Sequence, residues 1–207
     1  MTIPDGLAGQ VFLLAYDTDK LRLTVRPWLG YLLRAAALAD LRGRRMIDDQ
    51  DRRVRVLAVP PASSPVLWRL HREIAQDRPR TWAAWIRRDR RGTEDAVIED
   101  LATAGFIVVD RPRRLWSRPR FHLADPRVLT RLRDRAAAIL RSTEPPSRVP
   151  PNDAALIAIL AVGDVRVALP KTKIKEYANR VAALTDRSEP IAQALKHALN
   201  AAKSAAS

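Results

Sequence analysis

Twice in this chain a run of apolar residues at helical spacing ends near a glycine and passes directly into a pair of short, basic strands. The two stretches read AAALADLRGRRMIDDQDRRVRV and AVIEDLATAGFIVVDRPRRLW. In the first, Leu29, Leu32, Leu33, Ala36, Ala37 and Leu41 recur at three- and four-residue intervals over 28–42, the spacing that puts side chains on one face of a helix. Gly43 marks the stop, and 46–47 and 54–59 flank a polar turn at 48–53. In the second, Val97, Ile98, Leu101 and Ala102 face inward on a helix over 95–104, Gly105 ends it, and 106–109 pairs with a return strand at 120–123. The likeness lies in the order of elements and is too loose for a sequence repeat. It predicts a mainly α fold: a single globular helical domain over 1–207 with two short β-hairpins in winged-helix-like helix–hairpin units.

The remaining segments fit that frame. The apolar run over 9–16 is the first element, 17–20 supply turn chemistry, and 21–25 alternate as a short strand does. Pro27 suits the first turn of the helix that follows it. Further helices are predicted over 66–76, around Trp82, Trp85 and Ile86 behind a Thr81 cap, and over 127–140. The stretch 142–151, rich in Pro and Ser, reads as a linker within the domain. Residues 154–162 are apolar on every side and belong in the core. Helices over 172–184 and 190–202 complete the chain.

Composition removes several classes of function. With 207 residues, 47% of them apolar, the chain buries a core unaided and is too hydrophobic for a disordered polycation. It has no cysteine, which excludes disulfides, thiolate metal sites and a cysteine nucleophile. His71, His122 and His197 are scattered, and no metal or cofactor is expected. No nucleophile elbow, Walker loop, zincin motif or dinucleotide glycine fingerprint is present, and seven glycines leave little for a phosphate-cradling loop. The carboxylate pairs Asp48–Asp49 and Glu94–Asp95 stand at a turn and a helix start, where solvation and capping are their ordinary roles. The expectation is a protein that is not an enzyme. The longest apolar runs, 11–16 and 156–162, are far shorter than a membrane span, and the opening MTIPDGLAGQ lacks the basic lead of a signal peptide.

What remains is charge. Lys and Arg number 37 against 23 Asp and Glu, a net +14, and 31 of the cations are Arg. Part of that excess follows from an Arg- and Ala-rich composition, yet the field still attracts polyanions. Three groups stand out. Arg42, Arg44 and Arg45 follow Arg34 along the first long helix and past its end. Arg87, Arg88, Arg90 and Arg91 lie just before a helix start, where backbone N–H groups add to an anion site. Arg111, Arg113, Arg114, Arg118 and Arg120 surround Leu115 and Trp116 at a hairpin tip, a combination suited to an anionic interface. Trp82 and Trp85, at helical spacing, read as core.

Four segments together resemble the Golgi phosphoprotein 3 family: GLAGQVFLLAYDTDKLRL, LLRAAALADLRGRRMI, AVIEDLATAGFI and RPRFHLADP. They resemble, in order, the family's opening, its leucine-rich helix, the end of its hairpin-leading helix and its hairpin return. The resemblance implies a mostly helical fold, a headgroup pocket for phosphatidylinositol 4-phosphate on a basic membrane face, and a hairpin used for membrane contact and self-association. In ungapped register the family's pocket arginines fall on Arg34 and Arg91, while a third falls on Glu94 and the pocket tryptophan falls on Val25, with Trp28 a turn away. Arg42, Gly43 and Arg44 stand two residues early against the family's Leu-Arg-Gly-Arg. The basic N-terminal tail of eukaryotic members has no counterpart, and its partner-binding role is not carried over.

The sequence reading is therefore a cytoplasmic protein, peripherally associated with a membrane, that binds anionic phosphoinositide headgroups. Arg34 and Arg91 are the expected phosphate contacts, with Arg87, Arg88 and Arg90 in support. Leu115, Trp116, Arg114 and Arg118 form the membrane or self-association hairpin, and a homo-oligomer through 106–123 is an expected partner. Two alternatives stay open: a winged-helix-like nucleic-acid binder, disfavoured by Asp95, Glu99 and Asp100 on its would-be recognition helix, and an oligomeric interaction scaffold.

Overall fold

The computed structural model describes residues 2–58, 64–110 and 120–206. Its centre is a single helix, α2 (Leu29–Gly43), with 13 of 15 residues buried. Apolar or small side chains occupy nearly every position of α2, and such a helix can only be stable surrounded by others. It packs against α1 (Leu7–Leu14), α3 (Pro65–Gln76), α4 (Trp82–Arg87), α5 (Arg90–Thr103), α7 (Pro151–Val162) and α10 (Ile191–Ser204). α6 (Arg127–Arg141) closes the bundle against α1 and α7, α9 (Ala178–Arg187) packs against α7, and α8 (Lys171–Glu176) packs against α9. The apolar stretch expected in the core is there: Ala154 to Leu160 of α7 are all buried.

Two charges lie inside this core on α2 itself. Asp40 has no exposed surface. Its carboxylate accepts from the backbone N–H of Leu7 at 3.0 Å, from Asn152 Nδ2 at 3.0 Å and from Arg44 Nε at 2.7 Å. One side chain thereby fixes the start of α1, the start of α7 and the end of α2. Arg34 is the second buried charge and belongs to the site described below.

The two helix–hairpin units are present, and they match in detail at an offset of 60 residues. β3 (Ile47–Gln50) pairs antiparallel with β4 (Arg53–Val56), and β5 (Ile107–Asp110) with β6 (Arg120–Leu123). α2 ends with the Met46 N–H bonded to the Leu41 carbonyl at 2.9 Å, and α5 with Phe106 N–H to Leu101 at 2.8 Å. This closure places the preceding residue in the left-handed conformation, at Arg45 (φ 58°) and Gly105 (φ 73°). Ile47 and Ile107 then both point into the core. Gly43 closes the helix as expected, but the left-handed residue is Arg45.

Three expectations change. A third two-residue ladder, β1 (Tyr16–Asp17) with β2 (Arg22–Leu23), joins the two hairpins; the Asp17 carboxylate accepts from the N–H groups of Asp19 and Lys20 and so makes its turn. The predicted helix over 172–184 is broken at Tyr177 (φ −112°, ψ 31°) into α8 and α9. The linker-like stretch 142–151 is packed: it holds a 3-10 turn, Pro146–Arg148, and Val149 is buried with its carbonyl accepting from Arg187 Nε at 3.1 Å.

Two stability effects follow. Asp40→Ala strands the Leu7 N–H and Asn152 inside the core, and urea denaturation should show a loss of about 3 kcal/mol. At the matched helix ends the signs should oppose: Gly105→Ala destabilises by about 1 kcal/mol, whereas Arg45→Gly leaves stability equal or higher, because only glycine adopts the left-handed turn without strain.

Candidate functional site: the α2–α5 junction

The step from α4 to α5 is short and rigidly founded. Trp82, Trp85 and Ile86 are buried, as expected, and Thr81 caps α4 by accepting from the Ala84 N–H at 3.3 Å. Arg88 is extended, and Asp89 turns into the left-handed region (φ 39°), so that α5 starts at Arg90. That is earlier than the 95–104 span predicted from apolar spacing, since the first turn of α5 is polar and carries no periodic apolar signal. The consequence is that Arg87, Arg88, Arg90 and Arg91 are all exposed within one reversal of the chain.

The first turns of α2 and α5 lie against each other. A Cβ at Gly30 would sit 2.8 Å from Arg90 Cβ and 3.1 Å from its carbonyl oxygen, so a glycine is required for this approach. The Arg90 guanidinium lies over the Tyr31 ring, 4.2 Å from its centroid, an attraction between cation and ring quadrupole. Trp28, half-buried, stands 6.4 Å from Tyr31 between ring centroids. Neither helix has a side-chain cap or an acidic residue in its first turn. Two positive helix ends thus add to the arginines, with the Asp89 carboxylate beside Gly92 at the start of α5.

Arg34 lies beneath this surface. Its side chain is 1% exposed. It donates to the Trp85 carbonyl at 3.1 Å, to Thr93 Oγ1 at 3.2 Å and to Glu73 Oε2 at 3.0 Å. Trp85 and Thr93 bracket the segment bearing the four exposed arginines, so Arg34 holds that segment to α2 and, through Glu73, to α3. Burial pushes its guanidinium below the ordinary value, and the Glu73 charge works in the opposite sense. Its Nη2 is buried without a hydrogen-bond partner.

Carboxylates around the junction are already engaged. Glu73 Oε1 is 3.6 Å from Arg69 Nε, and Asp89 accepts from Arg69 Nη2 at 2.8 Å. Asp77 is shared by Arg80 and Arg88; the Arg80 hydrogen bond, ahead of that from Arg88, holds its carboxyl below the usual range. Among the described residues Arg87 and Arg91 have no ion-pair partner. The surface can therefore receive an anion without first breaking a bridge at those two positions.

The structure thus gathers Arg34, Arg87, Arg88, Arg90 and Arg91 at one junction but assigns them different depths. Arg34 does not reach the surface, because its head is consumed by three internal partners. Val25 stands just before α2 with an unfavourable left-handed backbone (φ 47°), and its carbonyl accepts from the Trp28 N–H at 2.8 Å. Glu94, half-buried, follows Thr93 on α5. The group at the far end of α2 disperses: Arg42 donates to the Glu189 carbonyl and Arg44 to Asp40. Leu115, Trp116, Arg114 and Arg118 lie outside the described residues. Asp49 of the first carboxylate pair accepts from Trp82 Nε1 at 2.6 Å and from the Arg52 N–H, a structural role. No group of three His, Asp or Glu among the described residues could hold a metal.

Gly30, Tyr31 and Glu73 escaped the sequence reading. A glycine two residues after a tryptophan, inside a helix signal, was the available clue to a close approach; nothing local marks Glu73 as the partner of a residue 39 positions away. Glu73→Ala should leave Arg34 charged and uncompensated, costing about 2–3 kcal/mol in denaturant unfolding, while Arg34→Met added to it should recover part of that loss.

A comparison with curated proteins gives no match. The family model of Golgi phosphoprotein 3 matches residues 7–202. That span runs from the first residue of α1 to near the end of α10 and includes every element that builds the junction, so the chain belongs to the Golgi phosphoprotein 3 family.

Proposed function

We propose that the α2–α5 junction binds the phosphate-bearing headgroup of an anionic phosphoinositide, phosphatidylinositol 4-phosphate first among them, and so holds the protein at a membrane surface. The observation that carries this reading is the exposed Arg87–Arg91 reversal set over two uncapped helix starts. Family membership adds weight, since the resemblance implies the same lipid class at the same elements. Arg91 and Arg87 are the open phosphate contacts. Arg90 approaches from the Tyr31 ring, and Arg88 from its bridge to Asp77. Arg34 acts from below as a positioning residue that fixes the reversal.

Each basic side chain at an anionic surface contributes on the order of 1 kcal/mol, so four give reversible, salt-sensitive attachment. No helix among the described residues is long and apolar enough to cross a membrane, which accords with peripheral association. The hairpin residues Leu115, Trp116, Arg114 and Arg118 are proposed to add shallow interfacial contact and a self-association surface, on the strength of their sequence and the family resemblance. Catalysis has no part in this reading. Nucleic acid is a poorer ligand, because Asp95 and Glu99 are exposed on α5 and repel a phosphate chain.

Vesicle co-sedimentation at about 150 mM salt tests the proposal, comparing neutral vesicles with two charge-matched anionic sets, one of which carries phosphatidylinositol 4-phosphate. Binding should favour the phosphoinositide, and Arg90→Ala with Arg91→Ala should weaken it roughly tenfold or more with an unchanged melting temperature. Equal binding to both anionic sets would remove the headgroup assignment. A salt-dependent shift of duplex DNA without vesicle binding would replace the lipid reading altogether.

A further inference from the structure

A cavity of about 330 Å³ lies apart from the α2–α5 junction, between α6, the chain segment 167–170 and α8. Its floor is apolar: Ala136, Ala137 and Leu140 of α6 face Val167, Leu169 and Pro170 across it. Its rim is basic. Arg133, Arg141 and Lys173 line it, against one lining carboxylate, Asp134. Lys173 is held by Glu176 at 2.8 Å, and setting Asp134 against Arg133 and Arg141 leaves one positive charge in excess. The Nε of Arg133 is buried with no hydrogen-bond partner. Arg141 is the last residue of α6, close enough that its charge lowers the proton affinity of Lys173, against the larger opposing effect of Glu176.

Cations crowded at the mouth of an apolar slot define a ligand with two ends. The slot accepts a hydrocarbon chain, whose transfer from water is favourable in proportion to the area buried. The rim accepts one negative charge, which relieves the repulsion between Arg141 and Lys173 and pairs with the Arg133 guanidinium. A cationic head would meet the rim with the wrong sign, and a neutral head would leave the excess positive charge uncompensated. We infer that this cavity binds a free single-chain amphipathic anion, an alkyl carboxylate with its tail among Ala137, Leu140 and Leu169 and its head between Arg133 and Arg141. Nothing in this inference rests on the headgroup site.

Isothermal titration of the full chain with decanoate, 1-decanol and decyltrimethylammonium, each below its micelle-forming concentration, tests it. Decanoate should bind tightest and the cation weakest, and decanoate should bind roughly tenfold or more tightly than octanoate. Ala137→Trp, which fills the slot, should abolish binding of all three. Arg133→Gln with Arg141→Gln should erase the preference for decanoate over decanol while decanol still binds. Arg90→Ala with Arg91→Ala should leave decanoate affinity unchanged. The inference fails if the cation binds as well as the carboxylate, or if Ala137→Trp binds decanoate normally with an intact melting transition. It fails equally if the junction variant loses decanoate binding.

Discussion

Two charged residues on the largely buried central helix govern this structure. Arg34 and Asp40 sit on α2, six positions apart, in a helix that touches six others. An unpaired charge in such surroundings is prohibitive, so each must find fixed partners as the helices close around it. Asp40 finds the start of α1 and the start of α7; Arg34 finds α3, the end of α4 and the first turn of α5. Apolar packing alone tolerates sliding between helices. These two sets of hydrogen bonds do not, and they set the register of the bundle at both ends of α2.

The functional surface inherits its order from that register. The reversal bearing Arg87 to Arg91 has little apolar content of its own, and a loop of four arginines would spread apart by repulsion. It is held by Arg34 gripping the carbonyl before it and the hydroxyl after it, and by the Gly30–Arg90 approach. Arg69 bridges Glu73 and Asp89 across the same region, so acid on α3 and at the turn is neutralised internally instead of cancelling the exposed cations. A buried arginine thereby lets its exposed neighbours act together. This also suits one residue type to two ends: guanidinium forms several directed bonds inside, and outside it is the group proposed to meet phosphate.

Much of the fold was legible because its signals are local. The helical spacing from Leu29 to Leu41, the all-apolar run of α7 and the paired helix–hairpin order all survive in the structure. The 60-residue correspondence is closer than the residues show, because a helix closure depends on backbone bonds that Arg45 and Gly105 both permit at different energetic cost. The short ladder of β1 and β2 was only half visible, since two residues per strand carry no period. The start of α5 was misplaced for the same reason: polar first turns are silent to an apolar pattern.

The candidate site was legible in its residue types and opaque in their depth. Sequence brings Arg34 and Arg91 forward as equivalent phosphate contacts, yet one is buried against Glu73 and the other is exposed. Depth depends on which helices cover a position, and α3 and α5 reach Arg34 from 39 and 59 residues away. The same reasoning bears on Val25 and Glu94. Val25 occupies a left-handed turn that a β-branched residue adopts only under strain, which means the surrounding chain dictates that conformation. Glu94 sits one residue beyond Thr93, the hydroxyl that anchors Arg34. Both positions thus adjoin the scaffold that orients the arginines. On the proposed reading, selectivity among headgroups is adjusted at such positions, whereas attraction to an anionic surface depends on the Arg87–Arg91 reversal and on the buried arginine that keeps it in place.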